Sequence, residues 1–302
     1  MGWRTSAAGW AGAAAVADQV ARSRARAHRR ALATSDRSAA VASALEQVDP
    51  PNEPFVAIVM AALNEADSMT GVLEELPASV CGLPVRTVVV DDGSSDDTAE
   101  LASKAGAIVA RHDSNLGQGD GLRTGFALAL GLGATVIVTM DADGQHDPSG
   151  LTELVSPVVA GEADYVQGSR FLGEYDDATG ARHAGIKFFT ALINVVAGTT
   201  ITDCTNGFRA IAAPGLTRMR LVEDRFSASE IIIEAAARNL RMLEVPVHIR
   251  SRESGESKKP RGVRYPLGYL GVILRASVRA RVRRSGGPAA PIAFSDATAN
   301  LR

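Results

Sequence analysis

Val85-Arg86-Thr87-Val88-Val89-Val90-Asp91-Asp92-Gly93-Ser94-Ser95-Asp96-Asp97 decides the fold of this chain. Val85 to Val90 is a nearly unbroken apolar run rich in β-branched residues, the pattern of a strand covered on both faces. It ends abruptly in two carboxylates and a glycine. Ser94 to Asp97 then offers a helix N-cap and acidic first-turn residues, which favour the positive end of a helix dipole. Strand, acidic turn and helix form one unit of an α/β sheet, and the unit recurs on either side.

Upstream, Phe55-Val56-Ala57-Ile58-Val59-Met60 reads as a second buried strand, followed by a helix over 72–76. Downstream come a short strand over 107–110, a helix over 122–130 and a strand over 135–140 that runs into Asp141-Ala142-Asp143-Gly144. This alternation predicts an α/β fold, a Rossmann-like and mostly parallel sheet with helices on both faces. In such sheets ligands bind beyond the carboxyl ends of the strands, and here two of those ends carry acids.

The chain of 302 residues, 46% hydrophobic and 22% charged, has ordinary globular composition. Residues 1–50 are dominated by Ala, Arg and Ser, with seven arginines by Arg37, and read as a flexible or helical extension that docks loosely. Asp49-Pro50-Pro51-Asn52-Glu53-Pro54 is a linker, because repeated prolines break helices and sheets alike. The division that follows is an extension over 1–50, a catalytic domain over 51–250, a basic loop and amphipathic helix over 251–285, and a disordered tail over 286–302. The uncharged run over 124–140 is too short and glycine-rich for a spanning helix.

A net charge of −2 argues against a general nucleic-acid binder. The average conceals a gradient, since 250–284 holds eleven Arg or Lys against two Glu, which suits phosphate groups or an anionic membrane surface. Leu267, Leu270, Leu274, Val278 and Val282 recur at helical spacing with Arg275, Arg279 and Arg283 on an adjoining face. That pattern fits either a helix lying on a bilayer or one packed on the domain. Cys81 and Cys204 form neither a disulfide framework nor a zinc pattern, and the five histidines show no ligand spacing, so a reducing, cytoplasmic setting is expected.

If the strand over 135–140 persists, the side chains of Asp141, Asp143 and Gln145 point to one side. Two carboxylates and an amide oxygen then converge, hard-oxygen chemistry suited to Mg²⁺ or Mn²⁺ and through it to a diphosphate. A solvated acidic turn is the plain alternative. Asp91 and Asp92 either accept hydrogen bonds from a nucleobase or ribose or belong to a tight turn and cap, which leaves Asp91 unexplained. Asn115-Leu116-Gly117-Gln118-Gly119-Asp120-Gly121 tempts a dinucleotide-binding reading, but Leu122 stands where the third glycine belongs, and the run follows the third strand rather than the first. Its glycines instead let backbone approach a ligand or the sheet edge. Around Asp203-Cys204-Thr205-Asn206-Gly207-Phe208-Arg209, Arg209 would clamp a phosphate oxygen and Asp203 would hold sugar hydroxyls or a catalytic proton, unless the two form a structural pair.

Taken together, these segments resemble family 2 glycosyltransferases, in the branch of dolichol-phosphate mannose synthases and bacterial polyprenyl-phosphate sugar transferases. The resemblance runs from about Val56 to Tyr269. Its markers are Leu63-Asn64-Glu65, Val90 to Ser94, Asn115 to Gly119, Met140 to Pro148, Gly168-Ser169-Arg170, Asp203 to Arg209, and Arg252 to Lys258. It implies a GT-A fold and an inverting transfer from a UDP- or GDP-sugar. By matching position, Ala61, Leu63, Glu65, Asp91, Asp141 and Ala142 would line the nucleotide, and Asp141, Asp143 and Gln145 would hold Mg²⁺ or Mn²⁺. Arg209, Arg252 and Lys258 would hold donor phosphates, the last two on a closing loop, while Ser169 and Arg170 would face an acceptor phosphate. Asp143, Asp203 and Arg209 would carry the catalytic roles.

Three departures stand out. Ala61 and Leu63 replace the family's Pro and Tyr, which removes an aromatic contact with the base. Gln118 replaces a lysine common in mannose synthases. The pair of C-terminal membrane spans found in many bacterial relatives is also missing. The expectation is a peripheral enzyme on the inner face of the plasma membrane that glycosylates a polyprenyl phosphate. A soluble transferase acting on a small metabolite or natural product, and a nucleotide-sugar-binding protein without catalysis, are the alternatives.

Overall fold

The computed structural model describes residues 32–175, 180–251 and 264–284. A helix over 32–46 (α1) leads through the proline-rich linker into β1 (Val56–Ala62), α2 (Ala66–Glu74), β2 (Ser79–Val80), β3 (Leu83–Asp91), α3 (Thr98–Lys104) and β4 (Ile108–Arg111). There follow α4 (Gln118–Gly131), β5 (Val136–Thr139), a 3₁₀ turn at Pro148–Gly150, α5 (Leu151–Val159), β6 (Tyr165–Tyr175), α6 (Gly180–Ala197) and β7 (Arg209–Ala212). The last described elements are α7 (Ala213–Leu216), α8 (Ser227–Ala237), β8 (Met242–Ile249) and α9 (Arg264–Arg284).

The eight strands form one sheet in the order β2-β3-β1-β5-β7-β6-β8, with β4 also paired to β3. β1 runs parallel to β3 and β5, β3 to β4, and β6 to β8, whereas β7 is antiparallel to both its neighbours. The mostly parallel α/β sheet is therefore as the apolar runs imply. Period-two alternation along β1 explains the layering: Val56, Ile58, Met60 and Ala62 face one apolar core, and Ala57 and Val59 face the other. Both sets are buried, so substituting alternation with a continuous apolar run is what a doubly covered strand requires.

Element boundaries differ where the capping group comes from elsewhere in the chain. α2 begins at Ala66 rather than near 72, because the Ala66 amide donates to Asp96 Oδ2 at 3.2 Å and the Glu65 amide to Thr98 Oγ1 at 2.9 Å. Asp96 also receives the Thr98 amide and hydroxyl at the start of α3. One acidic turn thus serves two helix starts, and only the second is adjacent in sequence.

The two flanking helices depart most from the sequence reading. Of the extension, residues 32–46 are a docked helix: Ala40, Val41 and Ala44 are buried against the core beside α4, and Arg37 pairs with Asp120. Two alanines make up much of the contact alongside Val41 and Leu45, so the apolar face is short and no sustained stripe is visible. Residues 1–31 and 286–302 lie outside the described residues. In α9 the face that packs on the domain is not the predicted stripe: Leu274 and Val278 are 52% and 61% exposed and Leu270 is half-buried, while Tyr269, Val272, Ile273, Ala276 and Ala280 are buried. Arg275 and Arg279 are not a free basic face either; they pair with Glu223, and Arg279 also with Glu230. The side chains of Leu267, Val282 and Arg283 lie outside the described residues. Among the described residues no helix is long and apolar enough to cross a membrane.

Candidate active site

The carboxyl ends of β1, β3 and β5 converge on one edge of the sheet. Asp91, the last residue of β3, is fully buried and accepts the Ser94 amide on Oδ1 at 2.9 Å. Its Oδ2 lies 3.1 Å from Arg111 Nε yet has no hydrogen bond of good geometry among the described residues. A buried carboxylate oxygen with spare accepting capacity at a strand end is a place for a ligand N–H or hydroxyl. Leu63 and Glu65 are half-buried beside it, and Asn64, in the left-handed region at φ 52°, accepts the Ser95 amide on its side chain. Ala61 has a packing role, since a Cβ at Gly121 of α4 would come within 2.8 Å of its methyl group. A larger residue there would lift the helix from the sheet.

Asp92 does work that the sequence did not reveal. Its Oδ1 meets His112 Nδ1 at 2.7 Å and accepts the Leu116 amide at 2.9 Å, and its Oδ2 accepts the Gly117 amide at 2.8 Å. His112 Nε2 in turn meets Thr124 Oγ1 at 2.8 Å, so one buried row ties β3 to the loop that enters α4. Gly117 and Gly119 serve a neighbour in the protein, not a dinucleotide: a Cβ on Gly119 would sit 2.0 Å from the Glu223 carbonyl, and one on Gly117 2.9 Å from that of Asp224.

β5 stops at Thr139, and Asp141-Ala142-Asp143-Gly144 turns away with Gly144 at φ 74°. The alternation argument for Asp141, Asp143 and Gln145 is thereby corrected, because the strand does not persist to place them. The turn is held by tertiary contacts instead. The Ala142 carbonyl accepts from Ser68 Oγ at 2.8 Å, Asp143 Oδ1 accepts the Gln145 amide at 3.2 Å, and Gln145 Nε2 donates to the Arg250 carbonyl at 3.4 Å. Asp141 remains 42% exposed, with Gln118 Nε2 3.5 Å from its Oδ1.

His146 pins this turn to the segment before β7. Its Nδ1 accepts the Asp141 amide at 2.9 Å, so the proton must sit on Nε2, which meets Asn206 Oδ1 at 3.0 Å. The ring also stacks on Phe208 at 5.0 Å between centroids. Gly207 presses on the acidic turn, where a Cβ would come within 3.0 Å of Asp141 Oδ1.

At the other end of that segment Asp203 is fully buried. It accepts Arg170 Nε on Oδ2 at 2.6 Å and the Thr205 amide on Oδ1 at 3.1 Å. Arg170, 7% exposed, also donates to Thr205 Oγ1 and lies over the Tyr175 ring at 5.1 Å. Glu244 completes the cluster by accepting the Thr202 and Asp203 amides; burial lifts its carboxyl above the usual glutamate value despite those bonds.

Three expectations are corrected here. Arg209, 1% exposed, turns into the core and donates to the backbone carbonyls of Asn206 and Ala228, so it braces the segment rather than reaching a phosphate. Ser169 is fully buried, with its hydroxyl 2.6 Å from Thr202 Oγ1, and does not face an acceptor. Asp203 is saturated by Arg170 and Thr205, which makes it the anchor of Arg170 and not a proton carrier. Arg252 and Lys258 lie outside the described residues. Among the described residues no three or more His, Cys, Asp or Glu form a metal-holding group.

The family model of glycosyl transferase family 2 matches residues 57–216. A protein of unknown role from Methanocaldococcus jannaschii is 34% identical over 209 residues, covering 67% of this chain and 84% of that protein. The dolichyl-phosphate hexose transferase of Haloferax volcanii is 30% identical over 203 residues, covering 67% and 86%. In fold, the chain is similar to glucosyl-3-phosphoglycerate synthase from Mycobacterium tuberculosis, crystallised with Mn²⁺, UDP and glucosyl-3-phosphoglycerate. That likeness has a TM-score of 0.56 at 21% identity, covering 83% of this chain and 84% of that one.

Proposed function

The chain belongs to glycosyl transferase family 2, and on that premise we propose that it transfers a sugar from a UDP- or GDP-sugar to a polyprenyl phosphate, with inversion at the anomeric carbon. The chain is a nucleotide-sugar-dependent glycosyltransferase with a GT-A fold. The acceptor class is supported by the relatives, among them the dolichyl-phosphate hexose transferase and a polyprenol monophosphomannose synthase of Mycolicibacterium smegmatis.

One observation carries the reading. The short segment from Asp203 to Gly207 clamps a guanidinium, Arg170, at one end and packs against the exposed carboxylate Asp141 at the other. An anion-binding group and an acidic, cation-binding turn are thus held at fixed separation by one piece of backbone. Asp91 supplies the accepting oxygen for the nucleoside, with Glu65 and Leu63 beside it. Arg170, oriented by Asp203, holds the acceptor phosphate.

In the transfer, an acceptor phosphate oxygen forms a bond to the anomeric carbon from the face opposite the leaving diphosphate. The bond from that carbon to the diphosphate oxygen breaks, and the electron pair leaves with the nucleotide. A phosphate is already ionised near neutral pH, so no buried base is needed, and the saturated state of Asp203 is consistent with this.

The donor set of the acidic turn fits a small hard cation. Asp141 and Asp143 offer carboxylate oxygens close to solvent, and Gln145 can add Oε1 while its nitrogen stays on Arg250. Mg²⁺ and Mn²⁺ commonly bind through one or two carboxylates plus phosphates and water, so no larger protein cage is required. Bound there, the ion would neutralise the diphosphate as it leaves.

A peripheral place on the cytoplasmic membrane face is part of this proposal. Its support is apolar exposure rather than basic charge: Phe188 and Val195 on α6 are 64% and 80% exposed, and Leu274 and Val278 project from α9, which touches α6. The deciding experiment incubates purified enzyme with Mn²⁺ or Mg²⁺, a panel of UDP- and GDP-sugars, and a short polyprenyl phosphate. Nucleotide release that depends on the lipid is expected from one donor. Release driven only by soluble phosphorylated acceptors would overturn the lipid assignment and establish the soluble alternative.

A further inference from the structure

Glu223 sits where two systems meet. Its backbone carbonyl and that of Asp224 seat against Gly119 and Gly117, and the Gly119 amide donates to the Asp224 carbonyl at 2.9 Å. Its side chain faces the opposite way. Oε1 accepts from Arg275 Nε at 3.2 Å and Arg279 Nη1 at 2.6 Å, and Oε2 accepts from Arg275 Nη2 at 2.6 Å. Glu230, fully buried in α8, accepts the Val222 and Glu223 amides and Arg279 Nη2 at 2.6 Å, which fixes the same stretch from below. Burial pushes the Glu223 carboxyl up, but the two guanidiniums outweigh it and hold it below the ordinary glutamate value.

The stretch over 116–119, where the loop passes into the first turn of α4, is therefore gripped from two sides. Asp92 takes the Leu116 and Gly117 amides on the inner face, and the Glu223–Asp224 backbone covers the outer face. Only the inner grip is built into the strand that bears Asp91. The outer grip has two supports: Arg123 of α4 donates to the Glu223 carbonyl at 2.9 Å and to Asp224 Oδ1 at 3.2 Å, and the Glu223 side chain reaches α9, more than fifty residues further along, through charge-assisted hydrogen bonds. Arg275 is 59% exposed, so that arm of the grip is open to solvent and to salt. We propose that Glu223 is a positioning residue, a charge latch through which α9 holds the 116–119 loop, and with it Gln118, against the acidic turn at Asp141. The latch rests on the proposed function only in its consequence, that this loop borders the donor site.

Two readouts on the full chain separate the latch from that consequence. In Glu223→Gln, amide hydrogen exchange at Leu116, Gly117, Gln118 and Gly119 is expected to rise selectively. Binding of UDP or GDP with Mn²⁺ is expected to weaken about tenfold, the range of a typical coupling between sites. Donor KM should rise by the same factor while kcat at saturating donor stays near that of the parent, a split that general loss of folded protein would not produce. Arg275→Gln, a change at an exposed side chain, should move both readouts in the same direction by less, and Arg275→Lys should restore part of the loss. It also keeps the test available if Glu223→Gln fails to fold. Unchanged exchange at these four amides in the folded variants would overturn the latch. Raised exchange with unaltered nucleotide binding would uphold the latch and instead sink the assignment of the loop to the donor site.

Discussion

The first half of the sheet and the second half hold their functional groups in opposite ways. In the first half the acids stand at or just beyond the ends of the apolar strands β3 and β5, and Asp141 is left open to solvent. Across β6, β7 and β8 the charged groups are internal: Arg170, Asp203, Arg209 and Glu244 bond to one another's segments. The first half keeps accepting capacity for a ligand, on the solvent-facing Asp141 and on the buried Oδ2 of Asp91; the second builds a buried scaffold that aims one guanidinium. The difference lies in how fully each charge is matched within the protein: the second half commits its buried charges to internal partners, whereas the first leaves carboxylate oxygens that a ligand can satisfy.

The sharpest test of this contrast is Asp143→Ala. Removing a carboxylate from the exposed turn is expected to lower kcat/KM by roughly 10²–10³-fold, the scale seen when charge stabilisation at a reacting centre is lost. The thermal midpoint should stay within a degree or two, since Asp143 contributes little buried structure. Full turnover in this variant with a chelator present would remove the acidic turn from the chemistry.

Asp203→Asn should behave differently, with activity and stability falling together. Arg170 would lose its charged partner while staying 7% exposed, and breaking a buried pair typically costs about 3–5 kcal/mol. Activity should drop roughly tenfold to a hundredfold, as for other residues that orient a binding group, and mainly through the acceptor KM. A variant that kept its melting temperature but lost all turnover would return Asp203 to the list of proton carriers and erase the contrast between the halves.

What the sequence shows follows the same division. The strands β1, β3 and β5 are legible because apolar runs and acidic ends are contiguous, and the order of the acidic and glycine segments points to the family. The fold was therefore readable from local pattern. The roles of Arg209 and Ser169 were not, because which way a side chain turns depends on β6 and β7, which pair antiparallel only in three dimensions. His146 lies within the Met140 to Pro148 marker but received no role from the sequence; its value lies in bridging Asp141 to Asn206, 60 residues further on. The charge of α9 was visible, yet its partners Glu223 and Glu230 lie some fifty residues upstream, so a neutralised face looked like a free one.

The smallest expected effect comes from the end of the sheet remote from the site, and it separates stability from function by pH. Asp164, just before β6, accepts the Arg241 amide and side chain, with Nε at 3.0 Å and Nη2 at 2.8 Å. Those side-chain bonds to Arg241 are the main reason its carboxyl is held down to about 2. An unfolded aspartate titrates near 3.9, so the folded state binds this proton less readily. The stabilisation is complete above about pH 4 and is lost as pH falls from there towards 2. Asp164→Asn should therefore lower stability modestly at neutral pH, leave kcat/KM unchanged, and flatten the acid side of the stability profile between about pH 4 and pH 2. Chemical denaturation across that window, with donor turnover measured at pH 7, makes the comparison. A fall in turnover without a change in the acid profile would show that the two ends of β6 are coupled, and that the scaffold half does more than aim Arg170.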